Sequence, residues 1–451
     1  MPSTYLDSSV FRDIFTTPAM RAVWSDENRV QKYLDFEAAL ARAQARLGII
    51  PKNAAAEIVK NCKADKFDFA LLKEKTERIG YPVLPVVQQL VALCKGKLGE
   101  WSHWGATTQD ITDTATVLQI REALDLIGAE IDSIADALAK LAKKYRNTPM
   151  AGRSNLQQAV PITFGYKMAT LLGAFERHRE RLAQLKKRVL VGEFGGAAGT
   201  LSSLGKDGLR VQAGLMTELK LGQPDISWHT VRDRIAEVGC FLGLVTGTCG
   251  KIAFDVKLLM QTEVEEVQEP FHQGRGSSST MPQKRNPISS VYITAQVAIV
   301  KQLTAALLEA QVEDHERATG PWEIEWIVLP EIFMLAAGAL AQTRFVVEGM
   351  QVNATKMRDN LDMTRGLIMS EAVMMGLGDR MGRNYAHDVV YDVCREVVKT
   401  GRPLVDLLLE NKEIAQHADR RTLEKLTDPA NYLGVAGEMV DRVLKGRKKK
   451  Y

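Results

Sequence analysis

Cysteine is scarce and shows no pairing pattern. Five cysteines in 451 residues (Cys62, Cys94, Cys240, Cys249 and Cys394) are scattered, odd in number and contain no Cys-x-x-Cys pair. That spacing argues against a disulfide framework and against a cysteine zinc site. A dominant charge is missing as well: 59 Lys and Arg face 55 Asp and Glu, leaving +4, too little for a nucleic-acid-binding field. The single cationic run, "GRKKKY" at 446–451, reads as a solvated tail. The start "MPSTYLDSSVFRDIF" has no cationic stretch followed by an apolar run, and no segment holds about 18 uninterrupted apolar residues. The expectation is a cytoplasmic chain with no membrane span. Alternating strand patterns are rare and no internal repeat is visible.

What is abundant is helical periodicity. The stretches 113–144, 162–190, 231–263, 290–313 and 324–350 carry apolar residues at three and four spacing and are rich in Leu, Ala, Glu, Lys and Met. Runs of that length need partner helices, so the spacing predicts an all-α bundle. The segment 231–263 is apolar over much of its surface, as a helix buried on most sides would be. A shift to shorter amphipathic pieces near 352–357 suggests sub-regions 1–110, 111–352 and 353–451.

Between the helices lie polar or Gly-rich stretches: 101–112 "WSHWGATTQDIT", 149–158 "PMAGRSNLQQ", 192–205 "GEFGGAAGTLSSLG" and 274–287 "GRGSSSTMPQKRNP". In the last of these, Gly274 and Gly276 permit a mobile loop, the serines offer hydroxyls and free N–H groups, and Lys284 and Asn286 add a cation and an amide. A polar linker is the plain alternative for each residue taken alone.

The run "SSTMPQKRNP" (278–287) resembles the signature loop of the fumarase/aspartase superfamily, with "HWGATTQD" (103–110) and "GRSNLQQAVPITFG" (152–165) similar to its first and second substrate loops. Ser277 stands where that family has a glycine. The resemblance implies an elongated all-α bundle, a homotetramer whose active sites are each drawn from three subunits, and a small polycarboxylate substrate. The long apolar helices and the lack of metal-ligand clusters in the sequence lead to the expectation of no metal and no organic cofactor. The implied chemistry is proton removal next to a carboxylate, through a dianionic aci-carboxylate, with expulsion of a group from the neighbouring carbon. Ser278 matches the family's catalytic base, while Lys284 and Asn286 would hold the charged carboxylate. Thr107, Thr108 and Gln109 would bind a second carboxylate, or else cap a helix starting near Asp110.

Fumarases and adenylosuccinate lyases carry a histidine in Gly-Arg-Thr-His, where this sequence has Asn155, followed by Gln158. Asparagine donates no proton at a useful pKa, so the leaving group is expected to need none. His229, in "SWHTVRDR", is a candidate acid or an ordinary hydrogen-bonded histidine. Arg317 is a candidate carboxylate ligand, with Arg232 and Arg234 weaker ones. Within the superfamily the stretches "FTTPAM" (15–20), "DHERATGPWEIEWIVLPE" (314–331) and "DPANYLG" (428–434) are similar to those of 3-carboxy-cis,cis-muconate cycloisomerases. Adenylosuccinate lyases are neighbours, but their phosphate-binding serine and arginine fall on Trp322 and Trp326. A C–N lyase acting on aspartate or an N-substituted aspartate stays open, as does a non-catalytic descendant of the fold.

Overall fold

The computed structural model describes residues 3–272, 274–318 and 320–447. It is helical throughout, with two short two-stranded ladders. The early helices are set by side-chain caps. Ser25 Oγ accepts from Asn28 N at 3.2 Å to start α1 (Asp26–Arg46), and Asp68 accepts from Ala70 N and Leu71 N to start α2 (Phe69–Ile79), after which α3 runs Val83–Leu93.

Five long helices follow the predicted stretches closely: α4 (Thr108–Lys144), α5 (Phe164–Val189), α7 (Asp233–Leu259), α8 (Ile288–Glu309) and α9 (Pro321–Gly349), with the shorter α6 at Gly208–Leu219. At 37 residues α4 is about 55 Å long. A hairpin the periodicity did not predict, β1 (Pro149–Ser154) and β2 (Gln157–Thr163), occupies the second polar stretch and pairs antiparallel, with a bulge between Ala151 and Arg153.

The chain divides into two compact units. One comprises 1–131, 178–249 and 292–341, the other 132–177, 250–291 and 342–451. In the first, Phe36, Leu40, Ile58, Leu90, Phe194 and Leu215 form the core. In the second, Val373, Leu377, Leu404 and Leu423 pack the C-terminal helices. The expected solvated tail is not wholly so: Arg447 bridges Asp136 Oδ1 at 2.6 Å and Glu176 Oε1 at 2.8 Å, and residues 448–451 lie outside the described residues.

The uninterrupted-run criterion also missed a feature. Helices α7, α8 and α9 are long and apolar enough, by length and composition, to cross a membrane. More than half of the most apolar window of α7 and of α9 is buried within the chain, but only 28% of that of α8, which leaves Val291, Ile299 and Leu308 exposed.

Candidate active site

The first unit assembles five of the residues picked out in the sequence. Thr107 and Thr108 stand half-buried at the start of α4, and among the described residues their hydroxyls have no hydrogen-bond partner. Behind them Asp110 is fully buried and accepts four N–H groups: Thr107 N at 2.9 Å, Gly195 N at 2.8 Å, Gly196 N at 3.0 Å and His229 Nε2 at 2.8 Å. The Gly-rich stretch exists to let this happen, since a Cβ on Gly195 would lie 2.6 Å from Ser227 Oγ.

His229 is 3% exposed, and its second nitrogen, Nδ1, lies 3.0 Å from Ser227 Oγ. Ser227 Oγ is 3.0 Å from Glu193 Oε1, and Glu193 Oε2 accepts from Trp228 N. Burial pushes Glu193 up to about 7, with His229 beside it opposing the shift. Gln109 Nε2 donates to His229 O and its Oε1 accepts from Arg317 Nη1, both at 2.7 Å, while Arg317 Nη2 reaches Gly196 O at 3.1 Å. Gln109, His229 and Arg317 therefore engage one another and the glycine loop, leaving the two threonines as the open face. By distance alone Asp110, Glu193 and His229 form a group that could hold a metal ion. Their oxygens already accept the N–H and O–H groups just named, and the set reads as a hydrogen-bonded network.

One turn further along α4 is a second buried cluster. Arg232, 1% exposed, clamps Asp113 (Nη1 to Oδ2 2.6 Å, Nη2 to Oδ1 2.9 Å) and Glu325 (Nε to Oε1 2.9 Å), and Trp322 Nε1 donates to Asp113 Oδ1 at 3.1 Å. Arg232 is thus an internal counter-ion, which takes it out of the candidate substrate ligands. Arg234 donates to Arg188 O instead. Trp322 and Trp326 meet edge to face at 4.9 Å, Tyr81 stacks on Trp322 and meets Trp326 edge to face, and beside them is a cavity of about 360 Å3 that Tyr33, Arg29 and Thr116 also line.

Glu313 completes the cluster. Its carboxyl is buried, has no hydrogen-bond partner among the described residues and sits 3.8 Å from Arg232 Nε. Burial first, with Glu325 and Asp113 adding and Arg232 opposing, pushes it up to about 8. A carboxyl raised in the folded state contributes stability that is complete below its unfolded value and is lost as pH rises through the folded one. Glu313→Gln, a neutral isostere, is therefore expected to match wild type near pH 4.5 and to exceed it by about 2–4 kcal/mol at pH 8 in denaturant unfolding. Equal stability at pH 8 would show that Glu313 is not a buried, protonated acid.

The other candidates belong to the second unit. Asn155 (φ 51°) and Leu156 (φ 63°) form the two-residue turn of the hairpin, with Leu156 72% exposed at its tip. Asparagine suits this left-handed backbone, a constraint separate from any role in binding. The hairpin is anchored by Arg153, which donates to Glu266 Oε2 at 2.9 Å and to Oε1 at 2.6 Å, and by Gln158 Nε2, which donates to Asn360 O at 2.8 Å. Gln158 faces the chain's own backbone, and its Oε1 is buried without a partner among the described residues.

The loop 274–287 is pinned at its neck. Asn286 N and Nδ2 both donate to Gly276 O at 3.0 Å, Ser277 bridges Arg285, and a Cβ on Gly276 (φ 71°) would lie 2.7 Å from Asn286 O. At its root Arg275 lies 4.4 Å over Phe345 and donates to Gln342 Oε1, while Glu269 caps α8 by accepting Ser289 N and Ser290 N. At its tip Ser278 Oγ accepts Thr280 N at 3.2 Å and Met281 N at 3.0 Å. Two N–H groups aimed at one hydroxyl oxygen favour its alkoxide. Lys284 is exposed and makes no ion pair among the described residues. Asn286 thus holds the neck, while Ser278 stands at the tip and Lys284 is exposed. The positions legible in the motifs were these; Asp110, Glu193, Ser227 and Glu313 were not, and their only signal was an acid or hydroxyl set among glycines or beside "HER".

Comparison with known proteins identifies the family. Residues 13–300 match the family model described as Lyase, and residues 366–443 match that described as adenylosuccinate lyase C-terminus. The chain is 59% identical over 444 residues to trans-aconitate decarboxylase 1 of Mycosarcoma maydis, covering 98% of this chain and 90% of that one. It is 45% identical over 440 residues to 3-carboxy-cis,cis-muconate cycloisomerase of Pseudomonas aeruginosa, covering 97% and 96%. A solved fumarate lyase from Mesorhizobium sp. BNC1 superposes with a TM-score of 0.90 at 49% identity, covering 96% of this chain and 99% of the other. With its motifs, helices and relatives in agreement, the chain belongs to the Lyase family and is an enzyme of the fumarate lyase superfamily.

Proposed function

We propose that the protein acts on a small unsaturated tricarboxylate and releases a group that needs no proton, most simply carbon dioxide from trans-aconitate. The observation that carries this is that neither position expected to hold an acid for the leaving group offers one: Asn155 stands at the hairpin turn, and both ring nitrogens of His229 are engaged with Asp110 and Ser227. The relative at 59% identity is a trans-aconitate decarboxylase.

In that substrate one carboxylate sits on a saturated carbon next to the double bond. As its C–C bond breaks, the electron pair forms a new C=C. The old π pair moves onto the carbon beside another carboxylate, giving an aci-carboxylate dianion, and one proton added there completes 2-methylidenebutanedioate. Carbon dioxide leaves without a proton. Ser278 O–H donates the proton to carbon, the reverse of proton removal by its alkoxide. Lys284 and the loop N–H groups stabilise the dianion, and Thr107 and Thr108 hold another carboxylate. Asn155 binds and orients.

The second reading, cycloisomerisation of 3-carboxy-cis,cis-muconate, rests on the 45% identical relative. It also uses a tricarboxylate and a carbanion next to a carboxylate, with a carboxylate adding to the double bond. Incubation with each compound decides between them. Carbon dioxide and 2-methylidenebutanedioate from trans-aconitate support the first; lactone from the muconate alone replaces it with the second; turnover of neither, with release of fumarate from adenylosuccinate or aspartates, overturns both.

The same reading predicts the effect of Asn155→His. Histidine tolerates the left-handed backbone at 155, so the turn survives, but a new acid has no leaving group to protonate. Activity is expected not to rise. A tenfold gain in kcat/KM with a new acid limb in its pH profile would show that the leaving group does need protonation.

We also infer a cytoplasmic homotetramer with each site drawn from three subunits. The apolar surface exposed on α8, together with Leu244 and Phe254 of α7, supports burial between copies. Light scattering that gives a monomer would reject it.

A further inference from the structure

The network under the Thr107–Thr108 corner holds a proton whose place the geometry restricts. We propose that Glu193, Ser227 and His229 form a proton-holding chain that sets the charge on the buried side of this corner and so tunes its affinity for a substrate carboxylate; the carboxylate role rests on the function proposed above.

Three backbone N–H groups donate to Asp110, an arrangement that favours the carboxylate, and the hydrogen in its fourth contact, 2.8 Å from His229 Nε2, is then placed on that nitrogen. Ser227 has one hydroxyl hydrogen and two neighbours, Glu193 Oε1 and His229 Nδ1, each at 3.0 Å. With one labile proton on the chain, every bond is satisfied in two ways. Either Nδ1–H donates to Ser227 Oγ and Ser227 donates to the Glu193 carboxylate, or the Glu193 carboxyl donates to Ser227 and Ser227 donates to Nδ1. The two forms differ by a shift of two protons and carry the same net charge of −1, that of Asp110. Without the labile proton, Glu193 and Nδ1 compete for a single hydrogen. One buried acceptor is then left empty and the network carries −2.

The chain is built to be rigid. Thr114 Oγ1 donates to Glu193 O and accepts from Glu193 N, both at 2.8 Å, and Trp228 N fixes Glu193 Oε2. Burial holds Glu193 near 7, where loss of the proton falls within a physiological range. The charged groups acting on it are His229, whose Nε2 lies 3.7 Å from Glu193 Oε1, and Asp110 and Asp113 on α4; beyond them Arg232 reaches His229 O at 3.4 Å, Arg317 reaches Gln109, and His103 pairs with Glu37 at 2.7 Å. Asp110 Oδ2 is 2.9 Å from Thr107 N, so an extra negative charge in the network opposes an anion at the threonines. Anion binding and proton retention therefore favour each other.

Glu193→Gln tests this without changing shape. The amide oxygen can accept Trp228 N, and its N–H can donate to Ser227 Oγ, which fixes the second proton arrangement permanently. The first measurement is the 15N signal of His229 Nδ1 in the unliganded full-length protein, assigned with His229→Gln. It is expected to move between about pH 6 and 8.5 in wild type and to stay fixed in Glu193→Gln. A flat signal in wild type, or an equal shift in both proteins, overturns the chain. Because this readout needs no substrate, it stands apart from the proposed reaction.

The second is calorimetric binding of propane-1,2,3-tricarboxylate, a probe that cannot react. Between about pH 7 and 8.5 its Kd should rise by up to about tenfold per pH unit in wild type and remain level in Glu193→Gln. His103 is present in both, so a dependence that survives in Glu193→Gln comes from elsewhere and overturns the tuning role. A probe that binds at no pH rejects the tricarboxylate reading, and the Nδ1 signal then decides the chain alone.

Discussion

Ser278→Ala is expected to lower kcat by about 10^2–10^4-fold while leaving the folded protein intact. The size follows from what the hydroxyl does under the proposed reaction: it is the group that passes the proton to or from carbon. The absence of a folding defect follows from its place, half-exposed at the tip of a loop, where deletion opens no core cavity. The neighbours provide the control. Ser277 and Ser279 are exposed; Ser279 Oγ only approaches Thr280 Oγ1 at 3.5 Å, whereas Ser278 Oγ gathers the N–H groups of Thr280 and Met281. Ser277→Ala and Ser279→Ala should therefore stay within about tenfold of wild type. Should Ser278→Ala keep near-normal turnover while either neighbour does not, the acid–base role moves one position along the loop. A melting temperature lowered in step with activity would instead assign Ser278 to loop structure.

How much of this was readable in the sequence depended on the range of the interactions involved. Long helices such as α7 and α9 were legible because three and four spacing is a local property, repeated over many turns. The β1–β2 hairpin was not. Its residues show no regular alternation, Pro161 interrupts them, and what holds the hairpin in place is the pairing of Arg153 with Glu266, 113 residues away. Contiguous motifs likewise pointed to Thr107, Thr108, Ser278 and Lys284, the residues that the proposed reaction uses. They assigned too much to Gln109, Gln158 and Asn286, whose amides turn out to engage the chain's own backbone or side chains. A motif states which residue types occur together, not which of their donors remain free. The buried acids went unseen for a related reason: Asp110 reads as an ordinary first-turn acid, and the space that lets Glu193 and Ser227 approach it is made by glycines whose role is visible only once the backbone has folded.

Arg232→Leu is expected to destabilise the fold by about 3–5 kcal/mol, the range for removing one partner of a buried ion pair. The side chain lies under both the Trp322 wall and the His229 segment, and it is the guanidinium that faces Asp113, Glu325 and Glu313. Burial already holds Glu325 above the usual carboxyl range with Arg232 opposing; without the cation nothing offsets that burial. The carboxyls must then take up protons to stay inside. Each raised carboxyl gives stability that is present below its unfolded value, about 4, and lost as pH rises through its folded value. The variant should thus be nearest to wild type at the acid end and fall further behind it toward pH 8, a trend a simple packing defect would not produce. Arg232→Lys is expected to fall between, because an ammonium cannot fork two carboxylates at once. Adding Asp113→Asn and Glu325→Gln to Arg232→Leu should recover part of the loss, since the uncompensated charges leave together. Urea unfolding at pH 5 and pH 8 reads all of these. A loss that is the same at both pH values would mean that Arg232 holds the cluster by shape, not by charge.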